Sequence, residues 1–530
     1  MVTTKADALR EMANQRMRDT LADIDAQLAG AAPGGADGSG PDGAASAREA
    51  IEKAIGALQV GLIERDTEVR LLLLAAVCGE HLLLIGPPGT AKSELGRRLS
   101  RACQGGYFER LLTRFSVPEE LFGPLSMRAL EQDQYIRQVD GYLPSATVAF
   151  VDEIFKANSA ILNTLLTILN ERLFDNGSDR IKVPLMCLVG ASNELPESEE
   201  LDALYDRFLI RRQVAQVSAA GLTTLLSEPP VEAPTPSGNG ASSTAALDPE
   251  RLVEVRAAAL KEVTVPRDVV ELVADLRQFL QDKCEPPVYV SDRRLVKAVA
   301  MLRVAAYANG RTSVSKYDCL LLQHVLWQRP EEADKIYEFV LSQCTETGDT
   351  QQVRYLLSAI FSRACRILAQ QPPGEGADVA IFQKREALRS VLEETVQVRQ
   401  VLTDKLLAIG SSASGSLPVV RDNLWLGEDE AAAVASALRP MMDKASGSIQ
   451  ELLYHAVTLE TLFLHGAGEI EVDGFDDGGA PQKRTELQAL DLAGTLPQYW
   501  HEFIREAPKE DVKPHGTTPM SKRPPKPYTP

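Results

Sequence analysis

Aromatic side chains are scarce in this chain, 5% of 530 residues. A large aromatic-lined cavity or a base-stacking platform is therefore not expected. Cysteines number seven, an odd count, and none falls in a CxxC pair. They read as buried small hydrophobes of a reducing compartment. Long apolar runs are missing too: the longest, such as Leu71 to Ala76, fall far short of a membrane span. The first thirty residues have no apolar core of a signal peptide, and they carry Asp7, Glu11, Asp19, Asp23 and Asp25, where transit peptides are poor in acids. A cytoplasmic location is the expectation. The net charge of −18 lacks the basic excess of a protein that grips a phosphate backbone, which argues against DNA or RNA as partner.

What is present is ordinary for globular protein, 44% apolar and 25% charged residues, at a length that calls for two to four domains. Residues 1–47 read as an N-terminal helix followed by a flexible linker, AAPGGADGSGPDGAASA (31–47). From 48 to 226, short apolar strands alternate with helical stretches, the pattern of a parallel sheet covered by helices. A Pro-, Ser- and Gly-rich linker fills 227–248. Residues 249–345 read as helical, with Val270, Val273, Leu276 and Leu280 on one face. Residues 346–505 are mostly helical and of undetermined role. A long helix is expected over 380–408, with Leu388, Val391, Leu392, Val398 and Leu402 as core candidates, and two apolar stretches follow near 428–442 and 448–465. Residues 506–530 form a Pro- and Lys-rich tail with no core.

The strongest local signal is LLLIGPPGTAKSELG (82–96). An apolar strand runs into Gly86, Pro87, Pro88, Gly89, Thr90, Ala91, Lys92 and Ser93, and a helix follows. This is the strand–loop–helix setting of a phosphate-binding loop. Backbone N–H groups turn inward, the helix adds its positive N-terminal end, Lys92 reaches the β- and γ-phosphates, and the Ser93 hydroxyl can ligate Mg²⁺. Ala91 stands where a second glycine is usual, which is tolerated if its φ is negative.

TVAFVDEIFKA (147–157) delivers Asp152 and Glu153 at the end of a second strand. Asp152 suits the Mg²⁺ shell, and Glu153 suits the polarisation of an attacking water. A third strand, VPLMCLVGASN, ends in Asn193, whose neutral amide can hold water or γ-phosphate without added repulsion. Open α/β sheets bind ligands at the carboxyl ends of their strands. Arg207 sits between a short helix and a fifth strand. It is a candidate to enter a neighbouring copy's site, with Arg211 and Arg212 as rivals and an ion pair with Asp206 or Asp202 as the plain alternative.

With these elements in order, the chain resembles the MoxR branch of the AAA+ ATPases, most of all its RavA-type members (regulatory ATPase variant A). The stretches that carry the resemblance include GLIERDTEVRLLLLAAVCGEHLLLIGPPGTAKS (61–93), LLTRFSVPEELFGPLS (111–126), GYLPSATVAFVDEIFKANSAILNTLLTILNERLFDNG (141–177), LVGASNELPE (188–197), LDALYDRFLIR (201–211) and YVSDRR (289–294). The resemblance covers about residues 50–330 and fades beyond 345. It implies a P-loop core with a helical lid, ATP and Mg²⁺ as ligands, and a homo-hexameric ring. By it Lys92 and Ser93 are the Walker A pair, Asp152 and Glu153 the Walker B pair, Asn193 sensor 1 and Arg207 the arginine finger. Arg293 is sensor 2, with Arg294 its near rival, and Leu62 to Arg65 line an adenine pocket. Two hairpins, at 133–144 and 172–183, are expected to face the pore of the ring.

The resemblance further implies a chaperone-like remodeller of protein complexes that works with a partner bearing a von Willebrand factor A domain; the client is not legible. The rival readings are a nucleic-acid motor, kept open by Arg137, Arg180 and Lys182 on the hairpins, and an ATP-gated scaffold with negligible turnover. The complete set of site residues argues against the scaffold.

Overall fold

The computed structural model describes residues 5–30, 42–103, 105–196, 198–227, 247–345, 350–369, 377–413, 417–465, 469–475 and 481–485. Most of the linker expected at 227–248 and all of the tail at 506–530 lie outside them. The chain divides into two compact units, one of residues 32–346 with 412–441 and one of residues 1–31, 347–411 and 442–530.

In chain order the elements are α1 (Lys5–Gly30), α2 (Asp42–Gln59), α3 (Asp66–Cys78), β1 (Leu82–Ile85), α4 (Lys92–Cys103), β2 (Tyr107–Leu111), α5 (Pro118–Phe122), α6 (Met127–Leu130), β3 (Val148–Asp152), α7 (Ser159–Glu171), β4 (Leu173–Asn176), β5 (Asp179–Lys182), β6 (Cys187–Ser192), α8 (Glu199–Tyr205), β7 (Ile210–Gln213) and α9 (Ala219–Ser227). Then come α10 (Pro249–Glu262), α11 (Arg267–Asp282), α12 (Asp292–Ala308), a 3-10 segment (Lys316–His324), α13 (Glu331–Thr345), α14 (Thr350–Ala369), α15 (Ala377–Ala413), α16 (Pro418–Arg421), α17 (Glu428–Leu464), β8 (Glu469–Phe475) and β9 (Pro481–Thr485).

The larger unit is built on a five-stranded parallel sheet of order β2-β3-β6-β1-β7. Its central strands are buried along their whole length apart from the last residue of β3, because helices cover both faces of such a sheet; this is why they read as continuous apolar runs rather than alternating ones. Close approach is bought with glycine at two points. A Cβ on Gly190 would sit 2.8 Å from the Phe208 ring, and one on Gly96 of α4 would sit 3.1 Å from Phe150 of β3. The expected α/β core with a helical lid is therefore present.

Four sequence readings need correction. Helix α2 begins at Asp42, inside the stretch read as linker to 47, and Ala44 and Ala47 are buried; alanine-rich sequence that looks like linker is also the best helix former. On α11 the buried face is Val269, Leu272, Val273, Leu276 and Leu280, while Val270 is 53% exposed. Starting at Arg267, the helix puts 269, 272, 273, 276 and 280 on one stripe and turns 270 outward. The two apolar stretches near 428–442 and 448–465 form the single helix α17, which runs through Pro440. Finally, 133–144 is not a hairpin of its own. It is the returning limb of an excursion from Pro124 to Gln138, closed by Ser126 N–H to Ile136 O and Gln138 N–H to Pro124 O, both 2.8 Å.

The other expected hairpin is present as β4–β5, turning at Gly177 with φ 69°. The Asn176 side chain brackets the Arg137 backbone, accepting its N–H at 2.6 Å and donating to its carbonyl at 3.1 Å. The excursion and the hairpin are thereby tied together.

In the smaller unit, Leu9, Met17 and Ile24 of α1 pack in one core with Leu357 and Phe361 of α14, Val391, Val398 and Leu402 of α15, and Ile449 and Leu453 of α17. Buried Glu460 is paired by Arg16 at 2.6 Å and Arg399 at 2.7 Å. Strands β8 and β9 form an antiparallel pair.

Candidate functional site

Parallel register brings three strand ends side by side. Ile85 lies opposite Ser192, the Gly86 N–H donates to Ser192 O at 3.0 Å, and Val151 lies opposite Gly190. The phosphate loop, Asp152–Glu153 and Asn193 therefore leave the sheet at the same edge. Gly86 is required here, since a Cβ would lie 2.2 Å from Val214 O. Ala91 does not behave as expected: its φ is +65°, in the left-handed region that a glycine adopts without penalty and an alanine does not.

Lys92 is buried at the start of α4. Its ammonium donates to Gly86 O, to Pro87 O at 3.0 Å and to Asn193 Oδ1 at 3.2 Å. Burial lowers its pKa, with Asp152 and Glu153 opposing that shift. The Asn193 Nδ2 donates to Glu153 Oε1 at 2.7 Å. This amide orientation is the one that offers oxygen to the cation and N–H to the carboxylate. Lys156 holds the other oxygen of Glu153 at 3.2 Å. Glu153 itself has φ +51°, a strained backbone of the kind that functional sites retain. Its N–H donates to Asp152 Oδ1 at 3.0 Å.

The residues fit a nucleotide with Mg²⁺. A tight glycine cradle, a buried ammonium and the helix N-terminus suit phosphate, while the Ser93 hydroxyl and the Asp152 carboxylate, both half-buried, are the hard oxygen donors that Mg²⁺ prefers.

Arg65 was not singled out for a phosphate-loop role by sequence. It is 6% exposed and donates to Thr90 O in the loop at 3.2 Å, to Ala215 O at 2.9 Å and to Glu64 O at 2.7 Å. The segment Leu62 to Arg65 is thus fastened directly to the phosphate loop. Lys156 was also missed, although its spacing of three from Glu153 was a usable signal.

Arg207 and Arg293 are not brought to this edge. Arg207 precedes β7, whose first residue Ile210 pairs with Leu82 at the start of β1. A four-residue strand of about 13 Å separates that end from the phosphate loop. Arg293 donates to Asn170 Oδ1 at 2.7 Å, near the end of the 13-residue helix α7, whose start lies by the Walker residues about 17 Å away. The two arginines are neighbours: burial first, then the Arg293 charge, lowers the Arg207 pKa. Arg207 meets Asp206 only at 3.5 Å, and its Nε is buried without a hydrogen-bond partner.

The rivals are occupied. Arg211 is fully buried, lies 3.5 Å over the Tyr205 ring and donates to Trp327 O and Tyr205 O. Arg212 pairs with Glu68 at 3.1 Å. Arg294, 2% exposed, donates to Val325 O, Phe208 O and Leu209 O. Arg211 and Arg294 thus join the lid to β7 and the turn before it.

Comparison with known proteins identifies the family to which this fold belongs. Residues 49–239 match the profile of the MoxR domain in the MoxR-vWA-beta-propeller ternary systems, and residues 268–340 match an AAA lid domain. An uncharacterized protein of Methanocaldococcus jannaschii is 38% identical over 288 residues, 54% of this chain and 74% of that one. The chain belongs to the MoxR branch of the AAA+ ATPases. A second M. jannaschii protein is 39% identical over 279 residues, 52% of this chain and 70% of that one. Chaperone MoxR1 of Mycobacterium tuberculosis is 29% identical over 195 residues, 36% of this chain and 49% of that one. The two family matches end at residue 340, before α14 begins.

Proposed function

We propose that this MoxR-branch chain is a Mg²⁺-dependent ATPase that works as a homo-hexameric ring and remodels protein complexes together with a partner bearing a von Willebrand factor A domain. One observation carries the ring: the phosphate loop, Asp152, Glu153 and Asn193 occupy one edge of the sheet, while Arg207 and Arg293 sit together at the opposite edge. An arginine there cannot reach its own γ-phosphate and suits a neighbour's.

In this reading Lys92 leaves its own loop carbonyls for the β- and γ-phosphates of ATP, and Asn193 and Glu153 orient the attacking water. Glu153 takes the water's proton. Bound Mg²⁺, held by Ser93 and Asp152, would neutralise charge on the phosphates. Arg207, with Arg293 beside it as sensor 2, stabilises the transferring phosphoryl group in the adjacent copy.

The matching family description, which names MoxR-vWA-beta-propeller ternary systems, supports the partner class. The RavA-type placement rests on the motif stretches alone. No described helix is long and apolar enough to cross a membrane, and we place the protein in the cytoplasm. Two of the three basic residues that favoured the nucleic-acid reading have acidic partners, Arg137 donating to Glu119 at 3.0 Å and Arg180 to Asp175 at 2.7 Å, while Lys182 is exposed.

Glu153→Gln tests the proposal. It should keep ATP bound, slow phosphate release by about 10²-fold or more, and retain a von Willebrand-type protein on pull-down. Phosphate release near wild type at saturating ATP would refute the ATPase mechanism, and nucleic acid in the eluate would replace the chaperone reading with the motor.

A further inference from the structure

Residues 417–430 lie outside both family matches, yet they belong to the nucleotide-binding unit and stitch two of its parts together. Trp425 is 1% exposed and donates its indole N–H to Ala305 O of α12 at 3.1 Å. The Asn309 side chain accepts the Leu424 N–H at 2.9 Å and donates to Asn423 Oδ1 at 3.0 Å. Those contacts are to the lid. On the core side, Arg70 of α3 donates to Leu424 O, and Arg48 of α2 donates to Asp422 O at 2.9 Å. Gly427 presses on the start of α3 so closely that a Cβ would lie 2.3 Å from Asp66 Oδ2.

Glu430 joins both sides with one carboxylate. Thr67 of the core donates to Oε2 at 3.2 Å, and Gln323 of the lid donates to Oε1 at 3.2 Å, with His324 Nε2 at 3.9 Å. Between strap and core lies an open, polar cavity of about 550 Å³ lined by Leu62, Arg65 and Arg212, by the acids Glu64, Asp66 and Glu68 and, from the strap, by Glu428, Asp429 and Glu430. Its volume falls in the range of small-molecule sites. The same Arg65 that lines it donates to Thr90 of the phosphate loop.

We propose that the strap 423–430 is part of the nucleotide site, walling it on the base side, and that Glu430 is a positioning residue that holds the lid to α3 and so retains ATP. This rests on the reading that residues 86–93 bind ATP. Lid closure sets how long a nucleotide stays, and a carboxylate shared by lid and core resists opening in a way that neither half could alone. The helix that begins at the strap continues past Pro440 to supply Ile449 and Leu453 to the core of the other unit.

The test compares Glu430→Ala, Glu430→Gln and Gly427→Leu in the full chain, with Lys92→Ala in parallel, using ATP·Mg²⁺ and ADP. Glu430→Ala, which loses both bonds to the carboxylate, should weaken ATP binding about tenfold or more, and Gly427→Leu, which crowds Asp66 at the start of α3, should weaken it in the same direction. ADP should leave faster by a similar factor, and KM should take more of the change than kcat. Glu430→Gln, which keeps the size and one acceptor, should recover most of the affinity. For Glu430→Gln the nucleotide-free melting temperature should stay close to wild type. Should Glu430→Ala fail to fold, Thr67→Val with Gln323→Ala removes the same two bonds. Wild-type affinity and ADP release in these variants would overturn the strap, as would a fall in melting temperature that tracks affinity in all of them. Wild-type ATP binding by Lys92→Ala would instead overturn the underlying ATP reading.

Discussion

Ala91 has φ +65°, and a left-handed conformation costs a residue with a Cβ roughly 1–2 kcal/mol. It follows that the loop holds its shape against strain, through Arg65 on Thr90 O and Lys92 on Gly86 O and Pro87 O. Ala91→Gly should relieve that strain. We expect its melting temperature to rise by a few degrees at most, with ATP affinity no weaker than wild type. A lower melting temperature by calorimetry would mean that the alanine methyl contributes packing that outweighs the strain. Chain identity alone could not reveal this conformation, because nothing local in GTAKS distinguishes a strained alanine from a relaxed one.

At the scale of elements, β1, β6 and α7 meet around His81. The Leu188 N–H donates to His81 Nδ1 at 3.1 Å, Nε2 faces Leu169 O at 3.3 Å, and the Arg172 guanidinium lies against the same nitrogen. Burial, and then the Arg172 charge, holds the imidazole pKa well below its ordinary 6.5. His324 is shifted down chiefly by burial, and burial takes His455 of the smaller unit to about 4. Below 6.5 the unfolded chain binds protons that these folded sites refuse, so stability is lost as pH falls. The melting temperature should drop steadily from pH 6.5 towards 5, a window in which ordinary carboxylates stay ionised. A flat profile across that window would show that the histidines charge in the folded state. The motif stretches around these residues identify the strands but carry no sign of the imidazole between them.

At the scale of the molecule, the two edges of one sheet hold complementary halves of the proposed catalytic site. Arg207→Ala should abolish turnover, since an arginine finger can be worth about 10³-fold or more, and should leave ATP binding intact. Lys92→Ala should be inactive for the opposite reason. Mixing the two inactive proteins should restore some activity, because the intact phosphate loop of one copy can meet the intact arginine of another. Specific activity of wild type should also rise with protein concentration. A fully active monomer, or no recovery in any mixture, would remove the ring from this mechanism.

The phosphate loop, the acidic strand end and Asn193 were legible in the sequence because each is a short motif on or beside an apolar strand, and parallel strands carry such motifs to one edge whatever surrounds them. What each of the neighbouring arginines is bonded to was not. Arg207, Arg211 and Arg212 lie within six residues, and only packing shows that Arg211 is stacked on Tyr205 and Arg212 is held by Glu68 while Arg207 keeps a buried Nε without a partner. Arg293 and Arg294 are adjacent, and helix α12 turns one outward and buries the other. The apolar stretches near 428–442 and 448–465 were legible in the sequence, and the structure joins them in the single helix α17, which runs through Pro440. The strap shows the limit most clearly: Glu430 is 363 residues from Thr67, and no local periodicity encodes a contact whose existence depends on where two distant helices are packed.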